Sequence, residues 1–391
     1  MAVSAPARTR VTKLKWTSGD GTVSEYQQRE KQTYSGVKRL RERSQRIPSL
    51  DGLRAVSIIA VLVGHLSGTR GFGTIGSQIG DYAHLGVVVF FVISGYLITG
   101  LMMSESRRYG TVSLKRFYAR RAIRLFPAAF AFIGCLWLLW MAGVIHLQTS
   151  DLWYAVTYTV NFDAYRSWQI GHLWSLSVEE QFYFLWPSLF VFLGVRRARW
   201  AAASALGIAP LARLAAIVFL KGTPYRDLEM FPMVMDSIAA GCLLALTADW
   251  LVRKSWYLRL FRPAYSLGLF ALVLVLNRYM GYGVDRIFGQ VVINLCVAIL
   301  IHHSVYCSDG WMRSLLNWRP LAFIGVLSYS LYVWQQLFID RESSAWISAF
   351  PENLILAITI ALASYFLLEQ PLMKLREKLR QQERVSQLIG L

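Results

Sequence analysis

Ser49-Leu50-Asp51-Gly52-Leu53-Arg54-Ala55-Val56-Ser57-Ile58-Ile59-Ala60-Val61-Leu62-Val63-Gly64-His65-Leu66 is an apolar stretch with an arginine near its start and a histidine near its end. At ~100° per residue, the steps from Arg54 to His65 bring a helix back to within roughly 20° of its starting face, and a rise of ~1.5 Å per residue separates the two groups by about 16 Å. One helix face therefore carries a cation low and an imidazole high. Ionisable side chains inside an apolar span are costly, so by default they face a bundle interior or a wet cavity. Snorkelling to the headgroups is the plainer alternative for Arg54. It serves less well for His65, which lies deep in the run.

Composition points the same way. Hydrophobic residues make up 55% of the 391 and charged residues 16%, and the mean hydropathy is +0.39. These values describe a membrane protein with polar ends and exclude an ordinary soluble enzyme. The formal net charge of +18 is uneven: residues 1–48 hold eleven Lys/Arg against four Asp/Glu and contain no apolar run. Residues 1–47 are neither a signal peptide nor a span, and read as a disordered basic cytoplasmic tail. Juxtamembrane basic clusters are commonly topology signals and lipid-surface contacts, so no nucleic-acid role is assigned to it. Cys135, Cys242, Cys296 and Cys307 are widely spaced, with no CxxC and no His/Cys spacing suited to a metal. They read as packing residues.

A span needs about twenty apolar residues. Ten segments come close: 49–68, 84–103, 127–145, 175–193, 200–220, 231–250, 263–279, 287–305, 322–339 and 352–370. Lys and Arg accumulate in alternate connections: the first tail; Arg107, Arg108, Lys115, Arg116, Arg120, Arg121 and Arg124; Arg196, Arg197 and Arg199; Arg253, Lys254, Arg259 and Arg262; and the tail 373–391 with Lys374, Arg376, Lys378 and Arg380. The intervening loops are poor in such charges. The expected fold is thus an all-α polytopic bundle over 48–372, with about ten spans and both termini cytoplasmic. Segment 152–160 is apolar but too short to cross, and reads as an interfacial or re-entrant piece on the outer side.

Two centres of chemistry emerge. The fourth span opens Gly171-His172-Leu173-Trp174-Ser175-Leu176-Ser177-Val178-Glu179-Glu180-Gln181-Phe182-Tyr183, which as a helix aligns His172, Ser175, Glu179 and Tyr183 and turns Glu180 about 100° away. Adjacent carboxylates there are hard to solvate in lipid; a hydrated acid favoured by the helix dipole is the alternative. The second centre is Lys115-Arg116-Phe117-Tyr118-Ala119-Arg120-Arg121-Ala122-Ile123-Arg124, before Pro127, which marks a first helical turn. Arg116, Arg120 and Arg124 recur at intervals of four, with Arg121 flanking. A row of forked guanidiniums suits phosphates, although a lipid-headgroup anchor accounts for the same charges.

Together these motifs resemble the acyltransferase 3 family of integral-membrane O-acyltransferases. The resemblance rests on Arg54-x10-His65 after Ser-Leu-Asp-Gly-Leu-Arg, Phe90-Phe91-Val92-Ile93-Ser94-Gly95-Tyr96-Leu97-Ile98-Thr99, Arg121-x-x-Arg124 before Pro127, Asn161, the His172-to-Tyr183 block, Leu327-Ser328-Tyr329-Ser330-Leu331-Tyr332-Val333-Trp334 and Glu369-Gln370-Pro371. It covers about 48–372, and is specific as an ordered set. Two departures matter. Many relatives have a histidine after Tyr-Val-Trp where this chain has Gln335-Gln336, so no catalytic role is carried over there. Only about twenty residues follow the last span, whereas some relatives append an esterase-like domain.

The resemblance implies acyl transfer, by default acetyl, from acyl-CoA as donor co-substrate to a hydroxyl of a surface glycan, a lipid-linked saccharide or a secreted small molecule, with no tightly bound cofactor. His65 is the expected general base, oriented by Glu179, with Arg54 beside them. Arg116, Arg120, Arg121 and Arg124 are expected to hold the donor phosphates. His172, Trp174, Ser175, Glu180, Tyr183, Tyr329 and Tyr332 are expected on the acceptor side. Ser94-Gly95 either admits the acyl chain or packs helices tightly. A multispan transporter or flippase for an anionic lipid or glycan would use the same buried charges without covalent chemistry, but no internal repeat supports it.

Overall fold

Proline is tolerated in the first turn of a helix, where its missing N–H costs no intrahelical bond, and Pro48 starts α1 (Pro48–Leu66). The computed structural model describes residues 47–73, 79–225, 229–279, 284–307 and 311–376. The expected tail over 1–47 therefore lies, but for Ile47, outside the described residues, as does the part of the C-terminal tail beyond residue 376. α2 (Ile79–Tyr109) has 31 residues, more than the ~20 a bilayer core needs, so its last polar turns are surplus to a crossing.

One expectation is corrected at α3 (Leu114–Met141). Pro127 does not open a helix; it lies inside one that begins at Ser113, whose Oγ accepts the Arg116 N–H at 3.4 Å. A membrane helix absorbs the single bond that proline removes when its neighbours pack around it. The basic residues 115–124 are consequently the first turns of α3 itself. Their directions carry on into the bundle.

The short segment expected at 152–160 forms α4 (Thr149–Val156) and a 3₁₀ turn at Val160–Phe162. The Val160 N–H bonds the Ser177 hydroxyl, and Gln181 binds Asn161 and the Tyr158 carbonyl. The piece is thereby pinned to α5 (Leu173–Phe219), 47 residues broken at Gly194, whose φ of 69° and ψ of 167° are non-helical. A left-handed φ is easy only for glycine. This break separates the apolar segments 175–193 and 200–220.

α6 (Phe231–Leu251), α7 (Pro263–Tyr279), α8 (Val284–Tyr306), α9 (Arg319–Trp334) and α10 (Glu352–Ser364) complete the bundle. Among the described residues, seven helices are long and apolar enough to cross a membrane, and the one containing α5 holds two of the ten apolar segments. α7 and α9 fall short, with 17 and 16 residues. Its described residues form helices and no strands, and the chain is a multi-pass membrane protein.

α1 packs against both α2 and α9, and α2 against α6. The α2–α6 crossing is close because glycines meet backbone on both sides. A Cβ on Gly95 would run into the Ile238 carbonyl, and one on Gly241 into the Val92 carbonyl. Of the two readings of Ser94-Gly95, tight packing therefore describes Gly95. Buried Asp236 is neutralised by Arg213 of α5, whose two nitrogens reach its oxygens at 2.9 and 3.2 Å. That pair ties α5 to α6 away from the two centres described next.

Candidate active site

The first centre, called outer after the side expected from the basic connections, is built where α1 ends. His65 lies in its last turn, and its Nδ1 meets Oε1 of Gln335 at 3.1 Å. Gln335 belongs to a 3₁₀ turn, Gln335–Leu337, that tightens the end of α9. The neighbouring Gln336 accepts the His172 backbone N–H at 2.7 Å. His172 itself is buried: its Nε2 lies 2.9 Å from the Val333 carbonyl, and its ring packs on Phe132 and Tyr332. A carbonyl only accepts, so Nε2 of His172 carries the proton. The Tyr332 hydroxyl donates to the His172 carbonyl at 2.9 Å and meets Ser175 Oγ at 2.6 Å. His172, Ser175 and Tyr332 thus form a closed lattice joining α5 to α9.

Around His65, the Trp168 ring stands edge-on at 6.0 Å. Arg341 reaches the Gly64 carbonyl at 2.7 Å and lies over the Trp168 ring. A cation at the carbonyl end of α1 is favourable because those carbonyls have no intrahelical partners. Trp174 stacks on His84 at 6.2 Å.

Glu179 is not the partner of His65. Its carboxylate accepts from the hydroxyls of Ser94 and Tyr183, and the Tyr183 hydroxyl also reaches Ser94 Oγ at 3.2 Å. The reason is axial depth. His172, the residue that caps the start of α5, is level with the Gln335 turn, and Glu179 lies seven residues on, about 10 Å along the helix. The expected stripe of His172, Ser175, Glu179 and Tyr183 does face the bundle, but it spans two centres.

The inner centre collects charge. Arg54 lies 3.8 Å from Asp51 and within electrostatic range of Tyr183, Arg121 and Glu179. Arg124 interacts with Arg54, Arg121, Tyr183 and Glu179, and Arg121 lies over the Tyr183 ring at 4.2 Å. The guanidiniums of Arg54, Arg121 and Arg124 thus share one region with the carboxylates of Asp51, Glu179, Glu180 and Glu369. Guanidiniums gathered in a low-dielectric setting offer forked donors that can take an anion.

The row of four arginines is split. Arg116 and Arg120 turn to Glu105 of α2, at 3.8 and 3.2 Å, and only Arg121 and Arg124 join the inner centre. Steps of four residues drift by about 40° each, so a four-spaced row wraps around its helix. Glu180 interacts with Glu179 and Arg121 of the inner centre and with Tyr158. The Tyr329 hydroxyl donates to the Leu125 carbonyl at 2.6 Å and locks α9 to α3. Glu369, at the end of a π-helical turn after α10, takes the Ser330 hydroxyl and feels Arg124.

Gln335, Gln336 and Arg341 were missed as site residues. The signal available was an uncharged amide pair in an otherwise apolar run, directly after Tyr-Val-Trp.

The family can now be named. Residues 47–369 match the acyltransferase domain family, and the chain belongs to it. It is 28% identical over 358 residues to O-acetyltransferase OatA of Staphylococcus aureus strain NCTC 8325, covering 84% of this chain and 57% of that protein. It is 31% identical over 320 residues to the putative peptidoglycan O-acetyltransferase YrhL of Bacillus subtilis strain 168, covering 74% of this chain and 48% of that one. The chain thus spans about half the length of the curated relatives it matches. No solved structure matches it.

Proposed function

We propose that the protein is a membrane O-acetyltransferase that takes an acetyl group from acetyl-CoA at the inner centre and delivers it to a hydroxyl beside His65. The observation that carries this reading is α1 itself. One helix holds Arg54 among Arg121, Arg124 and Glu179 near one end and His65 against Gln335 at the other, about 16 Å apart. The guanidiniums hold the donor phosphates by charge-assisted hydrogen bonds. An extended thioester arm then reaches along the helix. His65 removes the acceptor proton as the oxygen attacks the thioester carbonyl, and the thiol of the donor leaves with a proton.

The basic connections support a cytoplasmic donor side, with both termini there and the chain in the cytoplasmic membrane. YrhL is named for peptidoglycan, and the acceptor class proposed here is a hydroxyl of a cell-surface glycan. The test is purified full-length protein given acetyl-labelled acetyl-CoA, followed by mass spectrometry of surface glycans from a deletion strain. Thioester cleavage that requires His65, with loss of glycan acetyl groups, is expected. A protein that moves glycan across vesicles while leaving acetyl-CoA intact would overturn the reading in favour of a transporter.

A further inference from the structure

We infer that Gln335 is the positioning residue for His65: its side-chain carbonyl holds the imidazole Nδ1–H and so presents Nε2, with its lone pair, to the acceptor hydroxyl. The inference rests on the reading of His65 as the base. It gives Gln335 a role of its own, where the resemblance carried none over to this position.

The contact is Oε1 to Nδ1 at 3.1 Å. An amide oxygen offers only lone pairs, so the nitrogen facing it must carry a proton. A neutral imidazole has one such proton, and Nε2 is left free to accept another. The opposite amide orientation would place an N–H against Nδ1, put the ring proton on Nε2 and leave no base there. Gln335 is placed to make this choice. It is fully buried, with 0% of its surface exposed, and its backbone carbonyl takes the N–H groups of Phe338 and Ile339 at 3.1 and 2.9 Å, which fixes the turn. Its neighbour Gln336 grips the His172 N–H. The other end of the Gln335 amide, Nε2, is buried with no hydrogen-bond partner, so nothing else in the described structure accounts for this side chain's orientation.

Among the described residues, the ionisable groups that interact with His65 are Arg341, from the loop after the turn, and His172, which caps the start of α5. Neither supplies an anion. A neutral amide therefore sets the tautomer without adding the charge that a carboxylate would bring.

The experiment uses the full chain in nanodiscs. Difference ¹⁵N imidazole spectra of the wild type and His65→Ala isolate the His65 signal and report its tautomer without any activity. Cleavage of acetyl-CoA then gives kcat and donor KM. The wild type is expected to show the Nδ1-protonated ring. Gln335→Met, similar in size but unable to accept strongly, is expected to give mixed tautomers and a kcat lower by about 10–100-fold at unchanged donor KM. Gln335→Glu keeps an acceptor and is expected to restore the tautomer and most of the turnover, with the acidic limb of kcat/KM moved to higher pH because the carboxylate stabilises the imidazolium. An unchanged tautomer in Gln335→Met, or full kcat in that variant, would overturn the inference. Full turnover in His65→Ala alongside the expected spectra would instead defeat the base reading and leave the hold of Gln335 on the ring intact.

Discussion

The two ends of α1 solve opposite problems. At the outer end, His65 is held by a neutral amide, an aromatic edge and the last turn of its own helix. At the inner end, Arg54 sits among full charges, with two further guanidiniums and the Glu179 carboxylate sharing its field. An imidazole that must trade a proton is best left without a strong ionic partner, whereas groups that must hold a polyanion gain from accumulated positive charge. On the proposed function, the difference separates proton transfer from donor binding, and substitutions at the two ends should therefore fail in different kinetic terms.

The largest effect is expected at the outer end. His65→Ala removes general-base assistance, commonly 10²- to 10⁴-fold, and kcat for acyl transfer should fall by about that order at near-normal donor KM. Steady-state kinetics with acetyl-CoA, together with a binding measurement on the same sample, checks both halves. A donor KM that rises as steeply as kcat falls would erase the distinction between the two ends.

The inner end should show the converse. Arg121→Ala or Arg124→Ala removes one charge-assisted phosphate contact of about 1.5–3 kcal/mol, so donor KM should rise by roughly 10- to 100-fold with a smaller change in kcat. Tyr183→Phe sharpens this. It keeps the ring beneath Arg121 but loses the hydroxyl shared with Ser94 and Glu179, and a rise of about 5- to 10-fold in donor KM is expected. Equal rises for Tyr183→Phe and Arg121→Ala would show that the hydroxyl, and not the guanidinium, organises the donor site.

Much of the helical frame was legible beforehand, because apolar length depends on local sequence alone. The Arg54–His65 register on α1 and the inward stripe of α5 follow from helical periodicity. What failed was depth between helices. The sequence alone leaves unstated that α5 starts at His172 level with the Gln335 turn, and that start decides whether Glu179 meets His65 or Ser94. Gln335 stayed hidden for a different reason: a neutral amide in an apolar run carries no charge signal, and its backbone simply continues the helix, with helical φ and ψ and its N–H on the Leu331 carbonyl. The arginine row was misjudged because its competitor, Glu105, lies on the preceding helix.

That competitor supports the smallest prediction. Arg116 and Arg120 look equivalent to Arg121 and Arg124 on a count of basic residues, yet both turn to Glu105, and their side chains keep 65% and 39% of their surface exposed. Exposed ion pairs contribute about 0–1 kcal/mol, since water screens the charges and two long side chains must be held in place. A phosphate drawn to the inner centre would also have to compete with Glu105 for these two arginines. Arg116→Ala and Arg120→Ala should therefore change donor KM by no more than about twofold and leave kcat unchanged. Measured in parallel with Arg121→Ala under identical salt, the four-residue step from Arg120 to Arg124 should divide a silent position from a sensitive one. A tenfold rise in donor KM for Arg120→Ala would mean that Glu105 releases its arginines to the donor, and the phosphate site would then extend along α3 beyond the inner centre.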